Sequence, residues 1–146
     1  MEIIKQLLFA FISTIGFSIL FSTPKDSIIK AGLVGSISWG IYFLSSNIFN
    51  ISTVTSTLLA SISVGIMGEL LAKYNKKPAT VFIIPGIIPL VPGAGMYYTM
   101  LELVEHNYYA AVDKGTENLF IAASISIGLI ISTTLSTSIK RVKNKN

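Results

Sequence analysis

The chain has 146 residues, 51% of them hydrophobic and only 12% charged, with a mean hydropathy of +0.69 and a formal net charge of +4. A soluble domain carries about a quarter charged residues, so an ordinary water-soluble enzyme is excluded, and the length suits one domain of about five membrane spans. Cysteine is absent, which removes disulfides and thiolate chemistry, and His106 is the single histidine, which argues against histidine metal clusters and a Ser-His triad.

Taken in chain order, five apolar stretches are each long enough to cross a hydrocarbon layer of about 30 Å as a helix. Residues 3–21 form the first, with Lys5 as its only charge. A cleaved signal peptide is the rival reading there. The expected reading is a span, because Glu2 offsets Lys5 and no small-x-small site precedes Pro24. Residues 28–46 form the second, with Lys30 in the first turn, and residues 54–72 the third, carrying Glu69. Residues 81–103 are interrupted by prolines and glycines, and residues 119–139 are free of charge. The expectation is an all-α integral membrane protein: a single transmembrane domain over residues 1–146, with five transmembrane helices and the fourth broken.

Charge sets the orientation. With the Asn50 loop outside and five full crossings, Lys25, Lys30, Lys73, Lys76, Lys77, Lys140, Arg141, Lys143 and Lys145 fall inside, against Lys5 and Lys114 outside. If the fourth stretch returned without crossing, Lys114 would move in and the four C-terminal cations out, which nearly balances the sides. The positive-inside rule therefore favours an outer N-terminus and an inner C-terminus. The tail from Lys140 reads as a stop-transfer segment rather than a nucleic-acid patch. Tyr97, Tyr98, Tyr108 and Tyr109 read as interfacial anchors on the outer side.

Small and hydroxyl residues recur every fourth position in three spans: Gly32, Ser36, Gly40; Thr57, Ser61, Gly65; and Ser124, Gly128, Ser132, Ser136. Residues four apart share a helix face, so each stripe suits close helix packing or, alternatively, a hydroxyl-lined transport path. The second stripe ends at Glu69, an acid inside the third span. A carboxylate at the bilayer centre costs about 3 kcal/mol, less near the interface, where Lys73 lies four residues on. Glu69 is thus either a substrate or proton site or an interfacial partner of Lys73.

The segment Pro85-Gly86-Ile87-Ile88-Pro89-Leu90-Val91-Pro92-Gly93-Ala94-Gly95 is the strongest functional signal. Each proline lacks an N–H and clashes with the carbonyl four residues earlier, so the carbonyls of Val81, Pro85 and Ile88 are expected to be released. Released acceptors are tolerated in hydrocarbon only where protein or water satisfies them. This predicts a break facing the protein interior or a wet cavity at mid-membrane depth. A helix restarting after Pro92 would aim the N–H groups of residues 93–96 at a carboxylate, as in the discontinuous helices of secondary transporters. The expected substrate site is Pro85, Gly86, Pro89, Pro92, Gly93 and Gly95, with Glu69, and no catalytic residue, metal or cofactor.

Three motifs carry a family resemblance: IGFSILFSTPKDSIIKAGLVGSISWG, SVGIMGELLAKY and KPATVFIIPGIIPLVPGAGMYYTM. With them the chain resembles the C-terminal-half, small-subunit type of the threonine/serine exporter (ThrE-like) family over nearly its whole length. The resemblance implies a multi-span protein of the cytoplasmic (inner) membrane that exports small amino acids or dicarboxylates such as succinate. It also implies a larger membrane partner subunit supplying the other half. A membrane-embedded enzyme would need a cluster of acids or a nucleophile with a base inside the spans, which offer only Glu69 away from the end of a stretch. A structural assembly subunit without substrate contact fits the stripes but does not call for the proline–glycine break.

Overall fold

The computed structural model describes residues 2–143, with side chains described through residue 136. Helices α1 (Glu2–Leu20), α2 (Lys25–Asn47) and α3 (Thr53–Asn75) are followed by α4 (Thr80–Gly86), a 3-10 turn at Ile88–Leu90, α5 (Gly93–Val104) and α6 (Tyr108–Lys143). No strand occurs among the described residues, so the chain is all-α as expected. Four helices are long and apolar enough to cross a membrane. The α4 segment and α5, bent by 50° at their break, make a fifth if the pair is one span.

Local chemistry accounts for the ends. The Ser52 hydroxyl accepts the Thr55 N–H at 3.3 Å and caps α3. Lys76 then stops α3 in the left-handed region (φ 54°, ψ 44°), and the N–H groups of Lys76 and Lys77 return to the Ala72 carbonyl. The largest departure from expectation is α6, which starts at Tyr108 rather than near residue 119. The charges at positions 113–117 mark where the apolar stretch begins, but charge does not stop a helix. No proline intervenes, and Lys114 finds an ion-pair partner in Glu102 at 2.5 Å.

The small-residue stripes are helix contacts. Gly32 of α2 lies against Phe11 and Ile15 of α1, Gly40 lies against Leu7, and the Ser36 hydroxyl donates to the Leu7 carbonyl at 2.9 Å. Ser61 of α3 packs on Gly128 of α6, and Gly65 packs on Ser132, so tightly that a methyl at either glycine would collide. Lipid tails give no hydrophobic drive for helix association, so the van der Waals packing of this close backbone approach holds the helices together. The hydroxyls are spent locally: Ser61 donates to the Leu58 carbonyl at 2.9 Å and Ser132 to the Leu129 carbonyl at 2.8 Å. Along Ser61 and Gly65 the space that a hydroxyl-lined path would need is therefore filled by α6, and the packing reading of these stripes holds.

A small apolar core joins Val34 of α2, Ala60 and Val64 of α3, Ile83 of α4, Leu90 of the turn, and Ile121 and Ile125 of α6. At one end, here the basic end, Lys77 pairs with Asp26 and the Lys30 ammonium donates to Asn75. The α2–α3 loop lies at the other end.

Candidate functional site

The break follows from its prolines. Pro85 sits inside α4 and Pro89 is the second residue of the 3-10 turn. Val91, immediately before Pro92, is forced out of the helical region (φ −65°, ψ 129°). Pro92 precedes the first residue of α5, so the helix restarts at Gly93 as expected.

Two of the three carbonyls expected to be released have partners. The Ile87 N–H returns to Pro85 as well as to Ile83, and the Val91 N–H donates to the Ile88 carbonyl at 3.2 Å. The tighter 3-10 geometry brings an N–H two or three residues on within reach of each acceptor, so the break repairs itself from its own backbone. Nearby, the Gly86 carbonyl accepts the Ser38 hydroxyl at 3.4 Å.

The site residues separate into three places. Pro85 and Gly86 are buried at the centre of the bundle, with Gly86 between Val34 of α2 and Val64 of α3. Pro89 and Pro92 are half-buried, Gly93 is exposed with open space around it, and Gly95 packs on Asn118 of α6. Glu69 lies on another face of α3, toward α6, where its carboxylate accepts the Ser136 hydroxyl at 3.1 Å. Gly95 stands beside Asn118. The spacing of 67 residues between Glu69 and Ser136, which Gly65 and Ser132 share, sets Asn118 level with Ile51. Eighteen positions of α-helical rise, about 27 Å, then separate Gly95 from Glu69 along the bundle. One small metabolite cannot touch both at once.

Each place offers different chemistry. In the first turn of α5, the Gly93 N–H is taken by the Val91 carbonyl at 2.8 Å and the Met96 N–H by the Pro92 carbonyl at 2.9 Å. The N–H groups of Ala94 and Gly95 are left as the donors of that turn, where the helix dipole favours an anion. Two residues missed in the sequence buttress it. Buried Asn118 donates to the Thr99 hydroxyl at 3.0 Å, and Thr99 donates to the Gly95 carbonyl at 2.9 Å. Asn118 falls outside the four-residue stripe of α6, so periodicity did not flag it. Its polarity just before an apolar run was the available signal.

Glu69 lines two grooves. One, of 280 Å³, runs between α3 and α6 past Ile66, Lys73, Ser132 and Ser136. The other, of 500 Å³, opens at the basic end among Lys73, Lys76, Lys77 and Pro78. Together they put a carboxylate, ammonium groups and hydroxyls within one small region, a set that suits a charged or zwitterionic small molecule.

Residues 6–135 match the family model described as threonine/serine exporter, ThrE. The chain is also 25% identical over 134 residues to an uncharacterized protein of Haemophilus influenzae, the match covering 90% of this chain and 45% of that protein. It thus spans about half the length of that relative. No solved structure matches it significantly.

Proposed function

The chain belongs to the threonine/serine exporter family, and on that premise we propose that it is one half of an export transporter for a small carboxylate-bearing metabolite. Its apolar helices make it a multi-pass membrane protein of an export family. The finer reading is an inner-membrane subunit that moves a threonine- or serine-type amino acid, or a dicarboxylate such as succinate, together with a larger membrane partner. The observation that carries it is the broken helix from Pro85 to Gly95, wedged into the bundle at Gly86 and restarting with two N–H donors at Ala94 and Gly95. A rigid break with backbone donors at a helix start can hold a carboxylate by its N–H groups and helix dipole.

In this reading the first turn of α5 takes the carboxylate at one end of the route. Glu69, about 27 Å away by helix rise, serves a separate station near the basic end, where the substrate ammonium or a proton is received. Deleting the chain from its host and restoring it, with efflux of labelled threonine, serine and succinate followed in each strain, tests the assignment. Loss and recovery of efflux for one of the three is the expected result. Unchanged efflux of all three on deletion removes the exporter reading.

Five crossings with the N-terminus out and the C-terminus in follow from the lysine and arginine distribution. The C-terminal cations belong to that argument, and their side chains lie outside the described residues. A reporter fused after Asn146 should be active only if it folds in the cytoplasm. Activity confined to an externally folding reporter refutes the five-crossing arrangement.

Glu69→Gln should lower efflux at least fivefold at neutral pH while the protein remains at normal levels in the membrane. Gln keeps the size and its carbonyl oxygen can still accept the Ser136 hydroxyl, while the negative charge and one acceptor oxygen are lost. Wild-type efflux across a pH series would return Glu69 to an interfacial structural role.

A further inference from the structure

We propose that the outer arc of α5 is the docking surface for the complementing half of the exporter, a separate membrane polypeptide. This rests on the half-transporter reading above. The argument starts from register. Ser61 against Gly128, Gly65 against Ser132 and Glu69 against Ser136 show α3 and α6 running parallel with a constant offset of 67 residues. Thr53, the first residue of α3, is therefore level with Phe120. Helix α6 begins at Tyr108, roughly 12 residues and about 18 Å of helix earlier. α5 lies along this overhang, with Gly95 and Thr99 at Asn118 and Glu102 at Lys114. The α5–α6 hairpin thus stands clear of the end of the bundle opposite its basic end.

The hairpin is polar where its helices meet. Glu102 pairs with Lys114, Asn118 bonds Thr99, and Lys114 sits 5.5 Å from the Tyr98 ring centre. The two outer faces differ. On α6, exposed Asp113, Thr116 and Glu117 are interspersed with exposed Tyr109, Val112 and Leu119, a mixed face whose acids mark this level as reached by water. On α5 the opposite arc is Met96, Tyr97, Met100, Leu101, Leu103 and Val104, all exposed, with Val104 at 71%; among the described residues, nothing in α5 is buried. An uninterrupted apolar arc at the height of exposed acids is not lipid-facing, so protein must cover it. The match to the Haemophilus influenzae protein covers only 45% of that relative's length, which leaves a second half of similar size to supply the cover.

A photo-crosslinking amino acid introduced at Met100 or Val104, in host cells carrying their full protein complement, tests this. Positions Glu117 and Phe9 serve as controls. Adducts from Met100 and Val104 should contain one membrane protein whose sequence matches the part of the Haemophilus influenzae relative outside the 134-residue match, and the controls should give none. An adduct with a second copy of this chain, with lipid alone, or equally from Phe9 overturns the surface. As a second arm, Met100→Glu should insert normally yet reduce efflux at least tenfold. Wild-type efflux from Met100→Glu overturns the docking surface and leaves the exporter reading standing. A matching crosslink in cells that export none of the labelled metabolites does the reverse.

Discussion

Gly86→Val is expected to destroy the packing of the bundle while leaving membrane insertion intact. The Cβ of any residue at position 86 would lie 2.7 Å from a Val34 methyl and 3.2 Å from a Val64 methyl. Valine side chains have little rotamer freedom with which to move aside. Adding carbon to a filled core costs about 1–3 kcal/mol, and valine adds a branched side chain against two branched neighbours. The bond from the Ser38 hydroxyl to the Gly86 carbonyl, already long at 3.4 Å, would be lost when α4 shifts. Unfolding of the purified protein by increasing SDS should begin at a much lower detergent fraction than for wild type, with Gly86→Ala between the two. An unchanged midpoint for Gly86→Val would mean that α4 does not lie between α2 and α3.

Gly93→Val should do the opposite: keep wild-type stability and abolish most efflux. Apart from its chain neighbours and its own helix backbone, none of the described residues comes within 4 Å of a Cβ at this position, so the substitution should leave the fold undisturbed. Valine is a slightly better helix former than the glycine it replaces, by roughly a few tenths of a kcal/mol, so propensity does not oppose the change. Its methyl groups would stand beside the Ala94 and Gly95 N–H groups, where a carboxylate is proposed to approach the backbone. Efflux at least tenfold below wild type, at matched membrane level and unchanged SDS midpoint, is the expected result. Wild-type transport would move the carboxylate site away from the first turn of α5. Together the two glycines separate effects that a single variant would mix, because one is enclosed by the chain and the other faces away from it.

What the sequence by itself determined is local in origin. Helix starts and stops, the departure of Val91 before Pro92, the restart at Gly93 and the small-residue faces all depend on a residue and the few positions around it. The order of helices and the proline–glycine break were legible for that reason. The length of α6 was not, because charge near Lys114 marks a change of solvent without breaking a backbone hydrogen bond, and the partner that stabilises Lys114 is Glu102 on the previous helix. The pairing of stripes was likewise beyond it. Ser61 against Gly128 and Gly65 against Ser132 depend on which helix lies beside which and at what offset, and several faces of similar smoothness compete for that choice. That offset alone lifts the α5–α6 hairpin clear of the bundle, parts Glu69 from the first turn of α5 by about 27 Å of helix rise, and turns one expected site into separate stations. Backbone chemistry is set by near neighbours along the chain, whereas depth and distance across a bundle are set by contacts between helices remote in sequence.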